Sequence, residues 1–329
     1  MRRLQNYLLL RLGHLGLGHR VFPPPRLYCS PELRRRLDAA FTPAEQPSPE
    51  RFAFLSPSYV GNCRLLSESG LCSLQVECGE EIMPLICRVY PRAMRDMGDS
   101  IELSTSLGCE KTVELLLASD EPLAFADKLG ERPYFTIPGS GKDPECIDRR
   151  KALLALLSDR SHSLHERVLR LAEEVLGRAL PRPHSEEDHI PRILSTALPL
   201  LSRHRKGGHL SLLAERAEQA LGGAESPEAA LRSGLFRLSR ILPSPERYIE
   251  RLLVHHMFHM QLPYADSAQT PKEQIRSFLA ACDLLAFFLL CLPFASLDDL
   301  VDAVAALFRF LEHSGYYFDR YNGTESLFS

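Results

Sequence analysis

At 329 residues, 45% apolar and 25% charged, the chain has a globular composition and the length for one large domain or two ordinary ones. A formal net charge of −3 excludes a global field that would recruit nucleic acid. Nine cysteines are an odd number, and a chain this long needs no disulfide framework to hold a core.

Residues 1–57 read as irregular. "MRRLQNYLLLRLGHLGLGHR" places positive charge before an apolar run, but Arg11, His14 and His19 interrupt that run and no small-residue cleavage site follows. A secretory signal is therefore not expected. Arg outnumbers Lys 33 to 6 over the whole chain, a bias spread everywhere. Gly13, Gly16 and Gly18 make a lone glycine run with no following helix or distal acid, which fits a flexible terminus better than a dinucleotide loop. "FPPPR" and "FTPAEQPSPERF" are proline punctuation. Between them "SPELRRRLDAAF" predicts a short helix, with Ser30 as N-cap and Pro31 at the first helical position.

Residues 58–118 form a cysteine-rich segment. Within it "AMRDMGDSIELSTSL" predicts two short strands around a Gly-Asp turn, and "CEKTVELLLAS" starts a helix. From about 145 the pattern is helical. A long run, "RRKALLALLSDRSHSLHERVLRLAEEVLGRAL", is stopped by Pro181, and further helices are expected near 190–203, 209–221, 227–240, 245–261, 271–291 and 296–313. The apolar stretch 278–295 contains Asp283 and Pro293 and falls short of the roughly 20 clean residues a membrane helix needs. It reads as a buried core helix, with Leu284, Phe287, Phe288 and Leu289 deep inside. The predicted class is mainly α: a helical domain over 119–329 behind a small cysteine-rich α+β segment. With no export signal or membrane span, the expected compartment is the cytoplasm, where clustered cysteines serve more often as metal ligands or redox groups than as bridges.

Cys63, Cys72, Cys87 and Cys109 are spaced C-x8-C-x14-C-x21-C. Four thiolates complete a tetrahedral zinc site or hold an iron–sulfur cluster, although these spacings match none of the short ferredoxin or zinc-finger patterns. The alternative is that each cysteine is a small buried hydrophobe. Loop context favours ligation: Cys72 stands just after the polar "SESG", and Cys87 stands beside Arg88 and just before Tyr90-Pro91-Arg92. Arg88 and Arg92 are expected to lower the Cys87 thiol pKa by favouring its charged form. Cys78, in acidic "VECGEE", is a weaker ligand, and Cys29, Cys146, Cys282 and Cys291 are scattered. In "HHMFHM", His255 and His259 share a helix face, but with no third ligand in view they are expected to pack in the core.

The stretch from Cys63 to Leu117 resembles the central motif of the flagellin lysine-N-methylase family. The resemblance is carried by Cys63 and Leu66, by Gly70-Leu71-Cys72, and by Gly79-Glu80-Glu81. It continues through Cys87-Arg88, Tyr90-Pro91-Arg92 and Glu102-x-Ser104-x-Ser106 to Cys109-Glu110. The C-terminal "ERYIERLLVHHMFHMQLPYA" and "RFLEHSGYYFDR" are compatible with it. The resemblance implies a cytoplasmic enzyme that methylates lysines of its partner flagellin with S-adenosylmethionine, without nucleic acid or membrane. It also implies an iron–sulfur cluster, of the 4Fe-4S kind, on Cys63, Cys72, Cys87 and Cys109, with zinc as the alternative metal. The family usually opens with an additional cysteine-rich segment, whereas residues 1–57 supply Cys29 alone; a start shortened relative to the family is expected.

Methylating a lysine is attack by an amine lone pair on a sulfonium methyl. A free lysine, with a pKa of about 10.4, is mostly protonated at neutral pH, so a base or desolvation is required. Tyr90 and Glu102 are the candidate bases, and Arg88 and Arg92 the candidates for a bidentate grip on the S-adenosylmethionine carboxylate. The rival readings are a non-catalytic zinc or iron–sulfur protein and a degenerate relative.

Overall fold

The computed structural model describes residues 30–48, 51–56, 63–127, 130, 133, 135–182, 189–204, 210–265 and 269–313. The glycine run at 12–19, Cys29 and the C-terminal residues from 314 lie outside the described residues. The fold is mainly α with short strands, and it divides into two compact units, one ending at Tyr90 and one beginning at Pro91.

In the first unit, α1 (Pro31–Ala40) starts as the sequence predicts. The Ser30 hydroxyl accepts from the Leu33 N–H at 3.1 Å, and Pro31 opens the helix. The proline-rich segment after it is not irregular: β1 (Phe41–Ser48) and β2 (Arg51–Leu55) pair antiparallel, with Phe41 opposite Leu55. A two-stranded ribbon has an outer edge on each strand, where a proline nitrogen has no ladder bond to lose. The register shifts between Pro43 and Ser48, an irregularity that such an edge absorbs. Two short helices follow, α2 (Ser73–Cys78) and α3 (Leu85–Val89), joined through a 3-10 turn at Glu80–Ile82. Among the described residues of this unit, Leu33, Ala40, Leu65 and Leu74 form one buried apolar cluster.

In the second unit, β3 (Arg92–Asp96) and β4 (Ile101–Thr105) form the expected antiparallel pair. Gly98 takes φ 96° in the turn between them, a backbone conformation open to glycine. A third strand, β5 (Ile137–Pro138), adds parallel to β3, giving the order β4-β3-β5. At two residues long it leaves no periodicity to read. α4 (Glu110–Leu117) follows β4.

The remaining helices are α5 (Pro144–Ser158), α6 (Leu164–Leu176), α7 (His189–His204), α8 (Ser211–Gly222), α9 (Pro227–Ser239), α10 (Pro245–His259), α11 (Pro271–Cys291) and α12 (Leu297–His313). The single run expected before Pro181 is in fact α5 and α6. Ser163 caps α6 by accepting from the Glu166 N–H at 3.3 Å, and Gly177, left-handed at φ 72°, ends it before the proline.

α11 is the central helix. Leu284, Phe287, Phe288 and Leu289 are all at most 3% exposed, and 78% of its most apolar window is buried inside the structure. Its length and composition suit a membrane span, but its environment is the protein core. Asp283 within it accepts from Arg192 at 2.9 and 3.1 Å and from the Thr196 hydroxyl at 3.2 Å, so the one carboxylate facing α7 is paired. A second buried ion group joins α10 to α6: Glu250, fully buried, takes Arg160 at 2.9 Å and Arg167 at 2.7 Å.

α9 lies so close to α11 that a Cβ on Gly234 would collide with the backbone carbonyl of Leu290. Gly234→Ala gains about 1 kcal/mol of helix propensity, but overpacking against rigid backbone costs roughly 1–3 kcal/mol. The expected result is a lower melting temperature. Gly222→Ala, where nothing lies within 4 Å, should leave it equal or higher.

Candidate functional site

Each unit carries a distinct group of chemically capable side chains. In the first, the backbone between Cys63 and Cys72 is a tight return. The Leu66 N–H donates to the Cys63 carbonyl at 3.1 Å, Ser67 and Leu71 are bonded at 2.8 Å, and Ser73 donates to Leu65 at 2.8 Å. Gly70, at φ 79°, makes the corner in "SESG". Arg36 on α1 clamps this loop. Its guanidinium donates to the carbonyls of Arg64 (2.9 Å) and Leu66 (2.8 Å) and to the Ser73 hydroxyl (2.8 Å). Cys72 is thereby fixed at the N-cap of α2, and Cys63, Cys72 and Cys78 pack half-buried against this unit's apolar cluster.

Cys87, on α3, faces Cys63 and Cys72. Its thiol is pushed up to about 11, first by desolvation and then by the neighbouring Cys63 and Cys72 sulfurs. Cys87 keeps solvent contact, so it is the crowding around its sulfur rather than full enclosure that desolvates it. This reverses the expectation that Arg88 and Arg92 would lower the thiol pKa. Crowding and like charge set the direction, because thiolates held together repel one another.

The donor type suits a thiophilic metal or cluster, since a cation would relieve that repulsion. The spacing does not close a ligand set: among the described residues, no group of three or more His, Cys, Asp or Glu stands ready to hold a metal ion. Cys109 belongs to the second unit, at the N-cap of α4. Arg88 follows Cys87 on α3, Tyr90 is the exposed C-cap of that helix, and Arg92 is the exposed first residue of β3.

In the second unit, Glu102, Ser104 and Ser106 recur at the strand period of two, so they share a face, while Leu103 between them is 61% exposed. Glu102 is already engaged: Arg150 on α5 pairs with one oxygen, and the Gln261 side chain donates to the other at 3.1 Å. Ser104 meets His259 Nδ1 at 3.0 Å and accepts from Arg95 at 3.4 Å. Ser106, 3% exposed, donates to Glu312 on α12 at 2.6 Å. His256 Nδ1 approaches the other Glu312 oxygen at 3.3 Å, and His259 Nε2 lies 3.7 Å from the Ser106-bonded one. One turn back on α12, Arg309 donates to the Gly108 carbonyl at 2.8 Å and to Glu110 at 2.5 Å.

Of the two histidines expected to pack with a polar tip, His259 is instead joined with His256 and Glu312 in a buried acid–base network, while His255 packs beside it. The sequence reading missed Glu312, Gln261 and Arg36. Glu312 had a signal: it continues the spacing of Val301, Ala305 and Phe308, an acid on the stripe that buries α12.

Burial pushes His255 down to about 4 and His259 down to about 3. Glu312 is pushed up by burial but pulled down to about 2 by His259, His256 and Ser106. The pull on Glu312 draws on a charged His259, which burial opposes. The direction that holds at neutral pH is a Glu312 carboxylate with a neutral His259 beside it. All these folded-state values lie below the unfolded ones of 6.5 and 4.5, so the unfolded chain binds protons that the folded unit refuses. The stabilisation is fully present above pH 6.5 and is lost as pH falls toward 3. A melting temperature flat above about pH 7 and falling steadily between pH 6.5 and 4 is expected, with a shallower fall in His255→Phe, which has no proton to gain.

No family model and no solved structure matches the chain. Over 72 residues, 22% of this chain, it is 31% identical to the Lysine-N-methylase of Salmonella typhimurium and to that of Salmonella choleraesuis, in each case over 18% of the relative's length. It has the same identity, over the same number of residues, to the Flagellar biosynthetic protein FliU of Salmonella muenchen, of which the match spans 43%. The matched stretch thus spans under a fifth of the lysine-N-methylases and under half of FliU. The chain is similar, over about a fifth of its own length, to proteins of lysine methylation and flagellar biosynthesis.

Proposed function

We propose that this chain is a cytoplasmic enzyme that transfers methyl groups from S-adenosylmethionine to lysine side chains of flagellin. The observation that carries the reading is the similarity to the lysine-N-methylases, supported by the motif from Cys63 to Glu110. The proposed thiol ligands are Cys63, Cys72, Cys87 and Cys109, holding an iron–sulfur cluster or zinc that draws the sulfurs together. Such a group supplies local order and positive charge. The chain's own residues must bind the donor, present the lysine and remove its proton. Arg88 and Arg92 are the proposed partners of the donor carboxylate, with the fork geometry such recognition uses. Tyr90, at the end of α3, is the proposed base for the lysine. Glu102, charge-balanced by Arg150, is better placed to hold the site's frame than to accept a proton.

The packing of half-buried Cys63 and Cys72 against the Leu33, Ala40, Leu65 and Leu74 cluster favours a second reading, in which a metal staples this unit without catalysis. The two readings separate in one assay: transfer of labelled methyl from S-adenosylmethionine to flagellin by anaerobically purified protein. Cys87→Ser should lose cluster absorbance and methyl transfer together, because oxygen binds soft metals less well. Cys78→Ser should leave both nearly intact. Wild-type protein that binds metal but transfers no methyl would leave stapling alone, and equal loss in the two variants would mean general misfolding rather than a ligand role.

A further inference from the structure

We propose that the exposed face around Leu71 and Val76 in the first unit is where flagellin docks. Its aliphatic side chains take the hydrocarbon stem of a substrate lysine, and the carboxylates beside them take the ammonium. The inference rests on lysine methylation as the reaction, and it names the surface that holds the protein substrate.

The first observation is uncovered apolar surface. Cys72 is the N-cap of α2, so Leu71 stands just before the cap and Val76 is the fourth residue of the helix. Those two positions are neighbours at a helix start. Leu71 is 58% exposed and Val76 65%. Leu66, paired with Cys72 across the return, is a third exposed aliphatic. A helix of six residues is about 9 Å long, so these side chains belong to one local surface. Such a surface gains by being covered.

The second observation is charge, and it selects the occupant. From Leu66 to Cys87 the chain has Glu68, Glu77, Glu80 and Glu81, and no Lys or Arg. All four are exposed. Glu77 accepts from the Ser30 N–H at 3.2 Å. Among the described residues, the side chains of Glu68, Glu80 and Glu81 carry no ion pair. Arg36, the cation that reaches this loop from α1, donates to the Arg64 and Leu66 carbonyls and the Ser73 hydroxyl instead. A lysine lays its methylenes along apolar surface and keeps its ammonium among polar groups. Aliphatic surface edged by free carboxylates matches both parts. The same carboxylates disfavour an anionic membrane surface.

The third observation is position. Cys72 lies between Leu71 and α2, and Cys87 faces Cys72. The docking face is therefore continuous with the proposed thiol ligands, in the unit that also carries Arg88 and Tyr90. A segment of flagellin held there brings its lysine to the proposed site of methyl transfer.

The test uses the full chain, purified anaerobically, and intact flagellin. In the first arm, without donor, a carbodiimide couples carboxylates to the lysine amines they touch, and peptide mass mapping reads the pairs. Links from Glu80 or Glu81 to flagellin lysines are expected. In the second arm, KM is measured separately for flagellin and for S-adenosylmethionine. Leu71→Ser/Val76→Ser should raise KM for flagellin about tenfold, as losing a central interface contact does. Glu80→Gln/Glu81→Gln should raise it about threefold at low salt and flatten its rise with salt. In both variants KM for S-adenosylmethionine should stay within about twofold of wild type. Leu212→Ser, at an exposed leucine of the second unit, should match wild type in both constants. A flagellin KM unmoved in the two double variants would overturn the docking face. So would carbodiimide links that bypass Glu80 and Glu81, or that join them to a second copy of this chain. Links from Glu80 or Glu81 to flagellin in a wild type that transfers no methyl would instead overturn the methylase reading and leave the docking face standing.

Discussion

The buried Glu312 carboxylate is the constraint around which the second unit is organised. Moving a charge out of water is costly unless donors replace the solvent. Here the replacements come from Ser106, just past the end of β4, and from His256 and His259 on α10. A single anion thus fixes one helix and the end of the sheet against α12, at positions 106, 256, 259 and 312 that are distant in sequence. Arg309 adds a second grip from the same helix, on Gly108 and Glu110. The residues from Ser104 to Glu110 are held by these contacts, so their placement depends on the charge network as much as on apolar packing. Removing one partner would leave the others buried and unpaired, the costly outcome for any such network.

The first unit solves a different problem with fewer means. Among its described residues, four buried apolar side chains form one cluster, and the loops beside it are held by Arg36 and by half-buried thiols. Cys63 and Cys72 raise the proton affinity of the Cys87 thiol, and a bound cation would offset that charge. Binding and ordering would then be one event in this unit.

Much of the helical part was legible. Its breaks carry Gly, Pro and Ser caps, and α7 to α12 fall within a few residues of the expected spans. The β3–β4 pair was readable from its Gly-Asp turn. The β1–β2 hairpin was not, because its prolines signal loop as strongly as edge strand. The split between α5 and α6 hid behind continuous apolar spacing that did not reveal the Ser163 cap. Of the site, the cysteines stood out by spacing and Glu102-x-Ser104-x-Ser106 through the family resemblance. What the strand faces did not, since Glu312 and Gln261 are 206 and 159 residues from their partners Ser106 and Glu102. The direction of the Cys87 shift was misread for a related reason: charges adjacent in sequence were visible, while sulfurs adjacent in space were not.

The central claim is that the chain methylates lysine, and the direct measurement is the intact mass of flagellin incubated anaerobically with the purified protein, iron, sulfide and S-adenosylmethionine. The account predicts mass gains of whole methyl groups that map to lysine side chains and vanish when S-adenosylmethionine is omitted. Flagellin of unchanged mass, with a protein shown to be folded and metal-loaded, would contradict it.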